Sequence, residues 1–235
     1  MQFKTPLIKA ILIKRYKRFL ADVTLEDGTI VTAHCPNTGS MHGFSDPGSI
    51  IWLSSSNNPK RKLKYTWELY EEKHSGNLIG INTSLPNKLV LEALNLNKIK
   101  ELNNFKEIRR EVPYGANSRI DFLISDLSGK SCYVEVKNVH LSRSKGLAEF
   151  PDSVTSRGKK HLLELTKIAE RGDIAYMLYL VQRNDCTKLK LACDIDIDYC
   201  EAFNKATKAG VKVLCFGCQM SLKQIYLSKK IKFEV

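Results

Sequence analysis

The sequence predicts two units, a small antiparallel β-barrel followed by an α/β domain, so that the chain is α+β overall. Three observations carry this. Residues 1–78 hold short alternating runs separated by turn residues, with no helical period. After Gly76 the apolar residues recur at helical spacing. Beyond residue 118, strand-like and helix-like stretches alternate. A composition of 43% hydrophobic and 26% charged residues excludes a disordered, collagen-like or coiled-coil chain. With 235 residues, one or two real cores are expected.

The first 21 residues carry six basic side chains, Lys4, Lys9, Lys14, Arg15, Lys17 and Arg18, and no acidic one. From residue 19 the period is two, with Phe19, Ala21, Val23 and Leu25 on one face, so Phe19 is expected in the core. Asp27-Gly28 supplies a tight turn into a return strand over 29–35. Further strands are predicted over 49–53 and 64–73, with 54–59 breaking the chain between them. The stretch 35–41 is rich in turn residues, and its Asn37, Thr38 and Ser40 suit either a phosphate grip or a cap on the barrel.

In the second unit Leu89, Val90, Ala93, Leu94 and Leu96 predict a helix over 87–96. Two strands follow, 118–125 and 131–140, separated by residues 126–130. A helix over 158–171 buries Leu162, Leu165, Ile168 and Ala169. Residues 174–181 are apolar throughout, which predicts a central strand covered on both faces. A helix over 199–209 ends at Gly210, and 211–216 forms another strand.

Lys and Arg total 37 against 25 Asp and Glu, a formal net charge of +12. Such a surplus points to a polyanionic partner, and nucleic acid leads. No apolar run approaches the roughly 18 residues of a spanning helix. Residues 1–13 are interrupted by Lys4, Pro6 and Lys9 and lack a signal-peptide pattern, so a cytoplasmic protein without a membrane partner is expected. Seven scattered cysteines predict reduced thiols, and Cys215-x-x-Cys218 reads as buried strand residues rather than half of a zinc site. Asp194, Asp196 and Asp198 resemble the start of a calcium loop, but Tyr199 and Lys205 stand where it needs Gly and Glu. Asp198 is read instead as a helix N-cap.

The hairpin of 118–140 carries the chemistry. If its turn is centred on Ser128, facing residues sum to 256, and Asp121 lies opposite Glu135. Glu135 and Lys137 share a face, while Val134 and Val136 point into the core. Two carboxylates that close repel unless a proton or a divalent cation lies between them. Oxygen ligands in a basic setting favour Mg²⁺ or Mn²⁺. The same spacing also fits an ordinary polar hairpin face, and Ile120, Phe122 and Ile124 are read as anchoring the strand that aims Asp121.

His34-Cys35-Pro36-Asn37-Thr38-Gly39-Ser40-Met41, Arg119-Ile120-Asp121-Phe122, Glu135-Val136-Lys137-Asn138 and the stretch 150–161 occur in this order over nearly the whole chain, preceded by Arg15-Tyr16-Lys17-Arg18-Phe19-Leu20-Ala21-Asp22. In these motifs the chain resembles the sugar fermentation stimulation protein A family, SfsA. The resemblance implies an OB-like barrel over 1–78, a PD-(D/E)XK nuclease-like α/β domain over 79–235, DNA binding, and a regulatory role in sugar (maltose) metabolism. It implies a nuclease-type centre of Asp121, Glu135 and Lys137, with Ile120 where the motif's name has proline. A Mg²⁺-dependent endonuclease or exonuclease is the alternative function.

Around this centre, Glu92 on the preceding helix is a candidate third metal ligand, and His161, turned toward the sheet, is a candidate catalytic group. Arg157, Lys159 and Lys160 cluster at a helix N-terminus that already favours phosphate. On the barrel, Lys14, Arg15, Lys17, Arg18, Lys60, Arg61 and Lys62 are candidate phosphate contacts, with Tyr16 and Tyr65 as stacking platforms. Contacts mainly to phosphate imply weak discrimination of sequence. The sequence leaves the oligomeric state open.

Overall fold

The computed structural model describes residues 1–103, 105–115, 118–126 and 129–234. The first sheet contains β1 (Ile8–Tyr16), β2 (Leu20–Leu25), β3 (Ile30–His34), β4 (Ile50–Ser55), β5 (Tyr65–Glu71) and β6 (Leu78–Gly80). Its order β3-β2-β1-β4-β5 closes through a β3–β5 pairing, giving a five-stranded barrel with β6 added beside β5. Ala10, Leu12, Ala21, Val23, Leu53 and Trp67 fill it. Phe19 departs from expectation. It lies in the turn after β1, where Lys17 and Arg18 both take positive φ, and it is 47% exposed. The strand phase therefore begins at Leu20, and Ala21 is the first core residue.

The second unit starts with α1 (Pro86–Asn95), then β7 (Phe105–Tyr114), β8 (Ser118–Asp126) and β9 (Ser131–Val139). A short pair, β10 (Leu141–Ser144) and β11 (Leu147–Phe150), leads to α2 (Ser156–Glu170) and β12 (Ile174–Val181). β13 (Lys188–Leu191), α3 (Ile197–Lys208), β14 (Lys212–Met220), β15 (Ile225–Lys230) and β16 (Lys232–Glu234) complete the chain. The main sheet has the order β15-β14-β12-β9-β8-β7, and a smaller one has β10-β11-β13-β16. β12 is central, parallel to both β9 and β14, as its continuous apolar run predicts. α1 covers one face of the main sheet, and α2 with α3 the other.

The two units are stitched by polar contacts along one seam. Gly80 N–H, from the first sheet, donates to the Gln182 carbonyl at 2.9 Å, and Gln182 is itself held within the second unit by donating Nε2 to Asn138 Oδ1 at 2.7 Å. The buried Arg183 guanidinium grips Asp185 through two bonds of 2.9 and 2.6 Å and lies over the Phe44 ring. The 35–41 stretch is built into this seam. Arg15 donates to the Asn37 and Gly39 carbonyls, and Ser40 Oγ donates to the Asp152 carbonyl at 2.7 Å.

Two sequence expectations are corrected here. Cys193 and Cys200 form a disulfide rather than free thiols, seven residues apart across the start of α3. The α3 N-cap is Asp196, which accepts from Tyr199 N at 3.0 Å, whereas Asp198 pairs with Lys159. Cys215 and Cys218 are buried in β14, as expected. No described helix is long and apolar enough to cross a membrane.

A Cβ on Gly80 would meet Gln182 Oε1, Cδ and Cβ at 2.6, 2.8 and 2.9 Å. Gly80→Ala is therefore expected to lower stability by about 1–3 kcal/mol, read as a lower urea midpoint at unchanged slope. An unchanged midpoint would mean that the seam is loosely packed.

Candidate active site

A reversal in the β7–β8 ribbon creates the site. Residues two or four apart in a strand belong on one face. Yet Phe122 and Ile124 pack under α1 while Ile120 packs under α2, and Ile108 and Val112 divide the same way. Both strands turn over between the pairs Arg110↔Phe122 and Val112↔Ile120. Glu111, at φ 51°, supplies the reversal in β7, and Arg119 Nη1 donates to its carbonyl at 3.1 Å. Ile120 thus anchors Asp121 from the face opposite to Phe122 and Ile124, not from the same face as the alternation predicts.

The β8–β9 ladder has the expected register, with Phe122↔Val134 through Ser125↔Ser131 all summing to 256. The expected turn centre, Ser128, lies outside the described residues. Asp121 stands one step past the last ladder pair. Its Oδ2 accepts the Val136 N–H at 2.7 Å, and its Oδ1 accepts from Asn87 Nδ2 on α1 at 2.7 Å. The side chain replaces a ladder bond and is held from both sides.

Glu135 is 2% exposed, buried beneath α2 rather than on a solvated hairpin face. Its Oε1 accepts from Lys137 Nζ at 2.7 Å and lies against His161 Nδ1. Its Oε2 is buried without a hydrogen-bond partner. Burial opposes ionisation of Glu135, but Lys137 and His161 outweigh it and hold the carboxyl below the usual carboxylate range. Asp121 goes the other way. Burial first, and the Glu135 charge second, push it up to about 6. The two carboxylates resist joint ionisation, and a cation relieves that conflict. Tyr114, whose buried hydroxyl lacks a partner, feels the same charges, and its phenol is raised by burial and then by Glu135.

α2 brings up the remaining groups. Thr155 caps it by accepting from Gly158 N at 3.0 Å, and Asp196 accepts from Thr155 N at 2.8 Å, locking the helix start to α3. His161 follows one turn later and lies between Glu135 and Arg157, whose Nε reaches His161 Nε2 at 3.4 Å. Arg157, Lys160 and His161, with Glu111, Pro113, Ser118 and Arg119 from the ribbon, line a cleft of about 570 Å³. Lys159 points the other way, 2.9 Å from Asp198.

Glu92 does not join the centre. It lies five positions from Asn87 on α1, about 140° around the helix. There its carboxylate pairs with the Met1 ammonium at 2.7 Å. Among the described residues no group of three or more His, Cys, Asp or Glu side chains is set to hold a metal, so the candidate donors are the two carboxylates. Asn87, Glu111 and Arg119 are site residues that the sequence reading missed. Arg119 alone left a trace, since it opens the Arg119-Ile120-Asp121-Phe122 motif.

On the barrel, the Lys17-Arg18 turn and the Lys60-Arg61-Lys62 loop emerge at the same end, because Tyr16↔Leu20, Leu20↔His34 and His34↔Thr66 form one row across the strands. Lys14 lies over the Tyr16 ring and Lys64 over the Tyr65 ring. Tyr16 and Lys14 both contact Asp22, and Arg61 donates to Thr66 Oγ1. Arg15 is turned inward onto the 37–39 backbone.

A family described as "Sugar fermentation stimulation protein RE domain" matches residues 84–224, and "SfsA N-terminal OB domain" matches residues 13–81. A sugar fermentation stimulation protein homolog of Maricaulis maris is 51% identical over 235 residues, covering 100% of this chain and 99% of the relative. One from Ruegeria sp. is 55% identical over 217 residues, covering 92% and 93%. Among solved structures, "The structure of Pyrococcus Furiosus SfsA in complex with Ca2+" matches with a TM-score of 0.90 at 28% identity, over 100% of this chain and 98% of that one.

Because Asp121 rises from 3.8 to about 6, its contribution to stability is full below pH 4 and is lost as pH rises to 6. In metal-free buffer, wild type is therefore expected to lose about 1–3 kcal/mol of stability relative to Asp121→Asn between pH 4 and pH 8, on top of a constant offset because Asn keeps only one of the two accepting oxygens. Melting curves across pH, in chelator, measure it. A stability difference between variant and wild type that stays the same from pH 4 to pH 8 would show that the two charges are not in conflict.

Proposed function

The chain belongs to the sugar fermentation stimulation protein (SfsA) family, and we propose that it is a cytoplasmic DNA-binding protein whose Asp121–Glu135–Lys137 centre hydrolyses phosphodiesters with Mg²⁺ or Mn²⁺. The observation that carries this reading is the unpartnered, buried Glu135 Oε2 beside an Asp121 whose ionisation its neighbour opposes. Such a pair is built for a hard cation, and Mg²⁺ is commonly held by one or two carboxylates together with substrate phosphates and water. The Ca²⁺ described with the Pyrococcus furiosus relative supports a divalent-ion site.

Asp121 and Glu135 would hold the ion, which when bound polarises the phosphodiester and lowers the pKa of its water. Lys137, 2.7 Å from Glu135 Oε1 and 3.2 Å from His161 Nδ1, carries a fixed charge to the place where negative charge develops on phosphate. His161 keeps Glu135 oriented, and Asn87 does the same for Asp121. Arg157 and Lys160 draw the backbone into the cleft. Lys14, Lys17, Arg18, Lys60, Arg61 and Lys62 would hold DNA at the barrel through its phosphates, with Tyr16 and Tyr65 stacking on bases. Lys159 adds charge at the margin, and Arg15 acts through the loop it supports. The barrel of residues 1–78 would bind, and the domain of 79–235 would cut.

Purified protein is expected to cleave DNA with Mg²⁺ or Mn²⁺ and not with chelator. Lys137→Ala should lower the rate at least about 100-fold with DNA binding kept, and Asp121→Asn should remove both cleavage and metal binding. Cleavage that survives Asp121→Asn would refute the assignment. DNA binding without cleavage under either metal would instead leave a binding protein suited to regulating sugar (maltose) genes.

Affinity should also fall steeply with salt. Replacing Lys17 and Arg18 together by Ala is expected to flatten the log–log slope by about 1.4–1.8. An unchanged slope would take the turn out of the interface.

A further inference from the structure

We propose that the Cys193–Cys200 pair is a redox switch, whose disulfide holds the start of α2, and with it His161, in place against Glu135. The switch goes beyond the proposed function and rests on that reading only in what it controls. The bridge closes the loop 193–200, and Asp196 lies midway round it. Both Asp196 carboxylate oxygens are taken by backbone. Its Oδ1 accepts from Tyr199 N at 3.0 Å, at the start of α3, and its Oδ2 accepts from Thr155 N at 2.8 Å, at the start of α2. Thr155 in turn accepts from Gly158 N, and His161 lies one turn further along, against Glu135. The bridge therefore constrains the one residue on which both helix starts converge. A disulfide acts mainly by removing conformations from the open chain, so opening this one deletes no hydrogen bond outright but lets the Asp196 loop move. Thr155 N and Tyr199 N then lose their acceptor part of the time.

The pair is also placed to be opened and closed. Cys193 is exposed, whereas Cys200 is buried at 3% exposure, so an outside reagent reaches the Cys193 sulfur first. The other five cysteines are buried thiols, and burial pushes those of Cys35, Cys186, Cys215 and Cys218 up, away from the reactive thiolate. In a reducing cytoplasm a long-lived disulfide is rare, and a reversible one commonly senses redox state. The open, dithiol pair is the resting form there. A disulfide oxidant closes it by two exchanges. The Cys193 thiolate attacks one sulfur of the oxidant, releasing a first thiol and leaving a mixed disulfide. The Cys200 thiolate then attacks Cys193 Sγ and releases the second. Two cysteine thiols are oxidised to the cystine, the oxidant is reduced to two thiols, and the two protons pass from the cysteines to them. A small dithiol reverses both steps.

The test is amide hydrogen exchange of the full chain in chelator, with the pair oxidised by glutathione disulfide or reduced by dithiothreitol and its state checked by alkylation and mass. Reduction should speed exchange at Thr155, Gly158 and Tyr199 at least about fivefold and leave the amides of the central strand β12 unchanged. Cys193→Ser should exchange like the reduced wild type under both conditions. Affinity for Mn²⁺, read by titration, should fall at least about fivefold on reduction, and Mn²⁺ should oppose reduction by the same factor, because coupling is reciprocal. A pair that stays reduced in glutathione disulfide, exchange at these amides that is the same in both forms, or an Mn²⁺ affinity that does not respond would overturn the proposal. A chain that binds no Mn²⁺ in either form would instead refute the metal site, and exchange alone would then decide the switch.

Discussion

Glu135 is a carboxylate buried to within 2% of complete, and a charge there has to be compensated from nearby. The compensation organises the site. Lys137 comes from the same strand two residues on, and His161 from α2. α2 can deliver His161 only because its first turn is fixed, by Thr155 on Gly158 N and by Asp196 on Thr155 N. The close approach of Tyr199 to Gly158, where an added Cβ would sit 3.0 Å from the ring, ties α3 into the same corner. One buried charge thus depends on two helix starts and one strand, and half of its own carboxylate is still left without a partner.

The second constraint is the reversal at Glu111 and Asp121. A regular ribbon would place Ile120 with Phe122 and run its ladder past Asp121. The left-handed Glu111 turns the ribbon over at that point, and Asp121 uses its side chain to take up the Val136 N–H. The β8–β9 ladder ends one step short of Asp121, and the cleft forms between the ribbon and α2. Strain in one strand residue and a broken ladder in the next are local costs, and they are borne at a site rather than scattered through the sheet.

Much of this was legible in the sequence. The period of two marks β2, though one residue too early, and places Glu135 with Lys137, whereas the three-residue β6 leaves no signal. The 256 register held because an apolar face specifies strand pairing. β1 shows in the sequence only as a basic stretch, since a bulge between Leu12 and Lys14 breaks its alternation. β7 went unread because its exposed edge carries Lys106, Glu107, Arg109, Arg110 and Glu111, which blur the apolar signal. Helical period locates α1 but not the side it turns to the hairpin, so it points to Glu92 where Asn87 makes the contact. The reversal left no mark, because a positive φ is signalled by glycine or asparagine and here it falls on glutamate. The Cys193–Cys200 pairing was likewise invisible to counting and spacing.

If Asp121 and Glu135 share one divalent cation, crystals grown with Mn²⁺ will show it. Diffraction recorded at the manganese absorption edge should give one anomalous peak within bonding distance of an Asp121 oxygen and of Glu135 Oε2. A map with no peak between these carboxylates at saturating Mn²⁺, or with the ion held by other residues, would contradict it.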